Sequence, residues 1–137
     1  MLDILPFSIF CFLTLFHIYM GFGGPINTNY FFPSINGESL PFHATMALPV
    51  ALLLLLTTIS FGFNVQLLPN TILGSFNSIW LLLSAIALVF RGIFGFVVFH
   101  LLNKVIDDTA FKTWDYRLYS PLTLYLGGAS FSAFLLN

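Results

Sequence analysis

The stretch Ser84–Lys104, SAIALVFRGIFGFVVFHLLNK, decides the fold, because it is long and apolar enough to form part of a membrane-spanning helix. Arg91 lies in the middle of it. An arginine at that depth costs about 2.5–3.5 kcal/mol on insertion scales, so its side chain should face protein or water rather than lipid. Ser84, Ala87, Arg91 and Gly95 follow helical spacing, which predicts a face of small residues on which neighbouring helices pack closely.

The composition excludes several classes of protein. Of 137 residues, 58% are hydrophobic and 7% are charged, whereas soluble domains average about 25% charged residues. Four Lys+Arg residues are too few for a nucleic-acid-binding surface. The single cysteine, Cys11, cannot form an internal disulfide, and we expect it to be packed and unreactive.

Four apolar segments approach or exceed the roughly 20 residues that cross a hydrocarbon core. Their apolar residues are continuous rather than alternating, which argues against a lipid-facing barrel. We therefore predict an all-α membrane protein, with one four-helix transmembrane domain covering residues 1–137. The predicted spans are about 2–22, 44–63, 76–102 and 118–136.

Two of the connections carry structural signals. Residues 23–43 are rich in Gly, Pro, Asn and aromatic residues, which predicts an ordered loop between helices 1 and 2. Residues 103–117 favour a short interfacial helix with Phe111 and Trp114 turned toward the membrane. Three of the four Lys+Arg residues lie in or beside this third connection, so the positive-inside rule places it in the cytoplasm and both termini outside.

Three residues are candidates for ligand binding or for buried polar contacts. His17, near the end of helix 1, could ligate a metal or haem or relay a proton, or could be a structural histidine bonded to another helix or the first loop. Arg91 could bind a carboxylate or phosphate, or tie the first loop to the bundle. Glu38 is the one carboxylate in that loop and a possible partner of Arg91.

The third connection and its end offer a candidate surface for docking a partner protein. Helix capping explains part of this sequence, since Asp108 suits an N-cap position and Ser120-Pro121 suits a helix start. The candidate docking residues are Asp108, Phe111, Trp114, Asp115 and Tyr119.

Small residues recur at helical spacing in three predicted helices and indicate close helix packing. Helix 4 carries two such faces, more than a compact four-helix monomer needs, so one is a candidate for contact with another protein. The predicted helix-packing residues are Gly21, Gly24, Gly92, Gly95, Gly127, Gly128 and Ser132.

Several motifs follow one another in a recognisable order: His17-Ile18-Tyr19 with Gly23-Gly24, then Arg91-Gly92, then Asp108-Thr109-x-Phe111, Asp115 and Leu118-Tyr119-Ser120-Pro121-Leu122. In these the chain resembles a family of small bacterial four-helix membrane proteins known only as a domain of unknown function. Met20 departs from the family pattern, which tends to have an aromatic residue there. The resemblance implies the topology and adds no mechanism.

These observations favour an accessory subunit or assembly factor of a larger complex in the bacterial inner membrane, with membrane lipids and other integral subunits as partners. The alternative is a binder or small enzyme for a lipid-soluble ligand (a quinone, isoprenoid or haem) held by His17 and Arg91. A transporter is less favoured, because no internal duplication is apparent. No phosphate-binding loop, HExxH or CxxC motif occurs, so we predict no metal site and no cofactor and favour a non-enzymatic role.

Overall fold

A computed structural model describes residues 4–35, 38–39, 43–67, 74–98 and 110–136. These residues are almost entirely helical, and the two short strands pair antiparallel. In chain order the elements are α1 (Ile4–Gly21), α2 (Thr28–Phe31), β1 (Ser34–Ile35), β2 (Glu38–Ser39), a 3₁₀ turn (Ala44–Met46), α3 (Ala47–Asn64), α4 (Gly74–Phe96), α5 (Ala110–Trp114), a π-helical turn (Asp115–Tyr119) and α6 (Ser120–Leu136).

A proline marks the beginning of α3. Pro49 lies in its first turn, just after the 3₁₀ turn Ala44–Met46. The missing N–H of proline costs nothing there, because the first backbone N–H groups of a helix have no partner within the helix. At Pro121 the chain is already helical, because α5, the π-helical turn and α6 follow one another without a break from Ala110 to Leu136.

Two helices end in the same hydrogen-bonded motif. After α1, the N–H groups of Gly23 and Gly24 donate to the carbonyls of Met20 and Tyr19, with Gly23 at a φ of 80°. This is a Schellman ending, in which a left-handed residue closes the helix. After α3 the left-handed residue is Gln66, at a φ of 60°, a conformation that glycine adopts far more easily.

The four long helices pack mainly as two pairs, α1 with α3 and α4 with α6, and the contact between α3 and α4 is smaller. Every helix contributes to a small common core at the centre, where the rings of Phe10 and Phe61 lie 5.2 Å apart. The buried core residues shared among the helices are Phe10, Phe61, Leu81, Leu126 and Ala133.

Within the described ranges, three helices are long and apolar enough to cross a membrane: Ile4–Gly21, Ala47–Asn64 and Phe76–Phe96. Eighteen helical residues extend about 27 Å, close to the thickness of a hydrocarbon core. These helices are consistent with an integral membrane protein, and many of their large apolar side chains are exposed. The fourth predicted segment coincides with α6, which has 17 residues.

Candidate functional site

Arg91 forms an ion pair with Asp115 at the end of the bundle where α4 meets α6. Arg91 Nη2 donates to Asp115 Oδ1 over 2.6 Å. The other carboxylate oxygen, Oδ2, accepts from the Ser120 hydroxyl over 2.7 Å. The Asp115 side chain is fully buried and that of Arg91 is 39% exposed, so both oxygens of a carboxylate withdrawn from solvent accept hydrogen bonds.

The π-helical turn positions Asp115 and Ser120 together. The backbone N–H of Ser120 donates to the carbonyl of Asp115, five residues earlier, while its hydroxyl donates to the Asp115 carboxylate. The wider turn thus lets one residue bond to both the main chain and the side chain of the other. Because Ser120 is also the first residue of α6, the ion pair is fixed directly to the start of that helix.

Two glycines of α4 make room for this arrangement. A Cβ added at Gly95 would collide with Arg91 Nη1 and Ser120 Oγ and would lie 2.7 Å from Asp115 Oδ2. A Cβ at Gly92 would lie 2.6 Å from Leu124 Cγ. The side chains of the ion pair, Ser120 and Leu124 therefore occupy the space that a Cβ would need at these positions, and they would have to shift to accept one.

Tyr119 connects the same end of the bundle to the first loop. Its hydroxyl donates to the carbonyl of Tyr30 over 3.1 Å, and its ring stacks on Phe31 with centroids 6.3 Å apart. Phe31 also packs on Phe16 of α1, at 5.3 Å. Burial, and secondly the nearby carboxylate of Asp115, raise the pKa of the Tyr119 phenol.

The predicted contact between Arg91 and Glu38 stays a prediction, because the Glu38 side chain is not among those that the structure describes. The ion pair that the structure records for Arg91 is with Asp115, 24 residues along the chain, because α4 packs against α6. Glu38 lies in β2.

The predicted docking residues do not form one exposed surface. Asp115 is fully buried in the ion pair, and Phe111 is buried with its ring 6.2 Å from that of Tyr119. The expectation that Phe111 faces the membrane is thus replaced by packing against the aromatic side chains of this end of the bundle. Trp114 is exposed, whereas Asp108 lies outside the described residues.

His17 makes a local contact in α1. Its Nδ1 lies 2.8 Å from the carbonyl of Leu13, one turn earlier, so Nδ1–H donates to that carbonyl. The ring meets Phe16 edge-on at 6.0 Å. Neither His17 nor Arg91 is among the lining residues of the cavity between α3 and α4 or of the one beside Ile86 and Phe131.

The small residues have different roles in the structure. Gly21 approaches Leu48 of α3, and Gly24 approaches the ring of Tyr19. In α6, Gly127 faces α4, where an added Cβ would lie 2.7 Å from Val89 Cγ2. Gly128 faces outward with nothing within 4 Å of an added Cβ.

The arrangement around Arg91 is suited to holding helices rather than to chemistry. The two oxygens of Asp115 already accept charged or hydroxyl donors from within the chain, so the carboxylate is not presented to a substrate. In the part of the chain that the structure describes, no three His, Cys, Asp or Glu side chains come together as metal ligands would.

Sequence reasoning missed several polar contacts, and two of them bear on the site and on its surroundings. One is the bond from Ser120 to Asp115, although both residues stand in the signature block that ends in Tyr119-Ser120-Pro121. The other joins Thr57, Trp80 and Ser84 between α3 and α4. Their spacing gave a weak signal, since polar residues within apolar spans tend to face other helices.

The ordered motifs along the chain match a known family over most of its length. The family model described as a protein of unknown function, DUF3995, matches residues 10–130. The chain belongs to the DUF3995 family. This confirms the resemblance to a domain of unknown function. No curated protein and no solved structure matches the chain.

Proposed function

We propose that this DUF3995 chain is a four-span integral membrane protein, a single domain in which α6 is the fourth span. Contacts along the whole of α6 support this topology. At its first residue, the Ser120 hydroxyl bonds to Asp115 and lies against Gly95 of α4. Seven residues later, Gly127 contacts Ala85 and Val89 further along α4. The helix therefore runs antiparallel beside a span of membrane length and occupies the same layer.

The placement of the loops supports the same topology. With four spans, the first and third connections lie on one side of the membrane. The contact of Tyr119 with Tyr30 and Phe31 brings those two connections together. We propose that this side is cytoplasmic, because Lys104, Lys112 and Arg117 belong to the third connection, and that both termini lie in the periplasm of a bacterium. The short α5 and its exposed Trp114 would lie at the interface.

We further propose that the protein is an interaction subunit of a larger membrane complex, and the outer face of α6 carries this proposal. The exposed positions of the helix include a stripe spaced by four, three, four and three residues, the outer stripe: Pro121, Tyr125, Gly128, Ser132 and Leu135. Alternating steps of three and four residues are the spacing at which one helix packs along another.

The middle of the outer stripe is small. Gly128 and Ser132 are four residues apart, which lets a second helix approach the backbone closely, as small residues do in membrane helix pairs. Within the described chain, nothing covers Gly128. The inward small face of α6, with Gly127 and Ser130, is already used by α4 and the core. The outer stripe is therefore the face left for a helix of another subunit.

The alternative of a ligand held between His17 and Arg91 has no support among the described residues. Arg91 is engaged by Asp115, and His17 bonds to its own helix. We therefore propose the interaction role alone.

The test is purification of the tagged protein from its native membrane in mild detergent, with mass spectrometry of whatever comes with it. Stoichiometric recovery of another membrane protein is expected. The Gly128→Leu and Ser132→Leu variants should no longer co-purify with that protein, because a large side chain prevents the partner helix from approaching α6 closely. Ser8→Leu is the matched control, since Ser8 is exposed on α1 and donates to the carbonyl of Ile4 in its own helix.

Two outcomes would overturn the proposal. One is recovery of the protein alone from its native membrane. The other is a partner that stays bound equally to the Gly128→Leu, Ser132→Leu and Ser8→Leu variants, which would exclude the outer stripe as the contact.

A further inference from the structure

A cavity lies where the two helix pairs meet, between α3 and α4. Its volume is about 280 Å³, and Phe10 of α1 is among its lining residues. Phe10 and Thr57 are buried, whereas Val50, Leu83 and Ala87 are exposed at the outer side of the bundle. In a membrane the cavity therefore opens sideways toward the hydrocarbon, where a lipid-soluble molecule can enter it.

Three polar side chains lie in this otherwise apolar lining, and their hydrogen bonds have a definite direction. The Thr57 hydroxyl donates to the carbonyl of Leu53 over 3.0 Å. The indole N–H of Trp80 donates to Thr57 Oγ1 over 3.1 Å. Thr57 has one hydroxyl hydrogen, so in the 3.0 Å contact between Thr57 and Ser84 the donor is Ser84.

With these directions, the three polar side chains have an acceptor left over but no donor. The hydrogens of Thr57, Trp80 and Ser84 are all donated within the protein. A hydroxyl oxygen can accept two hydrogen bonds, and Ser84 Oγ accepts none from the residues that the structure describes. The cavity thus offers an acceptor and no donor, so it suits a ligand that brings its own hydrogen.

We propose that this cavity binds a small lipid-soluble alcohol or phenol, whose hydroxyl hydrogen bonds to Ser84 Oγ. The size is suitable for one ring system or a short isoprenoid unit, because an apolar cavity of about 150 Å³ holds benzene. A carbonyl or ether of the same shape would fill the apolar part and gain no hydrogen bond. The site is independent of the outer stripe and uses neither His17 nor Arg91.

The experiment measures quenching of Trp80 fluorescence by a bromine-bearing probe in detergent micelles. The chain has two tryptophans, so the Trp114→Phe variant, altered at an exposed position, leaves Trp80 as the reporter. The probe is 4-bromophenol, and its partner without a hydroxyl is 4-bromoanisole. Saturable quenching by 4-bromophenol is expected, with 4-bromoanisole bound roughly fivefold more weakly, as loss of one hydrogen bond implies.

Three variants locate the site. Ser84→Ala should weaken the binding of 4-bromophenol to the affinity of 4-bromoanisole, and it should leave the affinity for 4-bromoanisole unchanged. Ala87→Phe should abolish saturable quenching by filling the cavity from an exposed position. Ile86 is exposed on the side of α4 away from this cavity, so the Ile86→Phe variant should bind 4-bromophenol as tightly as the parent protein does.

Quenching that rises linearly and equally in all variants would reflect partition of the probes into the micelle and would overturn the proposal. Equal saturable binding of both probes, unaffected by Ser84→Ala, would also overturn it. That result would mean that the cavity takes any apolar group, such as an acyl chain.

Discussion

Removing Arg91 should destabilise the protein more than removing the charge of its partner. In Arg91→Ala the Asp115 carboxylate, 0% exposed, would keep the Ser120 bond and lose its counter-ion. Breaking a buried pair in this way typically costs about 3–5 kcal/mol. Because Arg91 itself is 39% exposed, we expect a loss near the lower end, about 3 kcal/mol in the free energy of unfolding.

Asp115→Asn should cost less, about 1.5–2 kcal/mol, the lower part of the range of a hydrogen bond to a charged group. The amide has the shape of the carboxylate, and the partly exposed guanidinium of Arg91 can gain solvent or lipid head-group contacts. The double variant Arg91→Ala/Asp115→Asn leaves no buried charge. It should be more stable than Arg91→Ala alone, by about 1 kcal/mol, which a double-mutant cycle detects.

The assay is thermal unfolding in one mild detergent at a fixed scan rate, since membrane proteins often unfold irreversibly. A loss of about 3 kcal/mol should lower the midpoint by roughly 10 °C for a chain of this size. Arg117→Ala is the matched control, because Arg117 is an exposed arginine two residues from Asp115. The reasoning is refuted if Arg91→Ala has the same unfolding midpoint as Arg117→Ala. It is also refuted if the double variant is no more stable than Arg91→Ala.

Three further substitutions test other features of the fold by the same unfolding assay. Gln66→Gly should raise stability by about 0.5–1 kcal/mol, because glycine adopts the left-handed conformation at the end of α3 without strain; an unchanged midpoint would contradict that ending. Gly95→Ala should cost about 1–3 kcal/mol, since its Cβ collides with the Arg91 ion pair, and a neutral effect would argue against the close approach. Thr14→Val should cost about 0.6 kcal/mol by removing the 3.1 Å bond to Thr58 between α1 and α3, and a gain in stability would count against that bond.

The helices could be predicted from the sequence because their signals are local. Continuous apolar sequence predicted the three membrane-length helices. Pro49 lies at the beginning of α3 and Gly23 just after the end of α1, positions that proline and glycine respectively favour. The structure starts α3 at Ala47, three residues after the predicted start, because Ala44–Met46 forms a 3₁₀ turn first. Local signals do not distinguish these two kinds of turn.

The partner of Arg91 could not be predicted, because the choice depends on which helices pack together. Five acidic residues were available to Arg91, and the structure places Asp115 at a π-helical turn against α4. The two small faces of α6 posed the same difficulty. Gly127 and Gly128 are neighbours about 100° apart around the helix, and only packing against Ala85 and Val89 decides that Gly127 faces inward.

In the proposed membrane setting, polar contacts would matter more to this chain than to a soluble bundle, because lipid removes most of the hydrophobic drive that would hold helices together. Arg91 and Asp115 tie α4 to α6, and Thr14 and Thr58 tie α1 to α3. Between these pairs the helix contact is smaller, and the bonds around Thr57 lie beside the cavity. Among the described residues, packing is thus more extensive within each pair than between them, and side-chain hydrogen bonds of Thr57 and Asn64 join α3 to α4. A ligand in the cavity would add contacts between the pairs, whereas a partner on the outer stripe would meet α6 alone, so the two proposals predict separable effects.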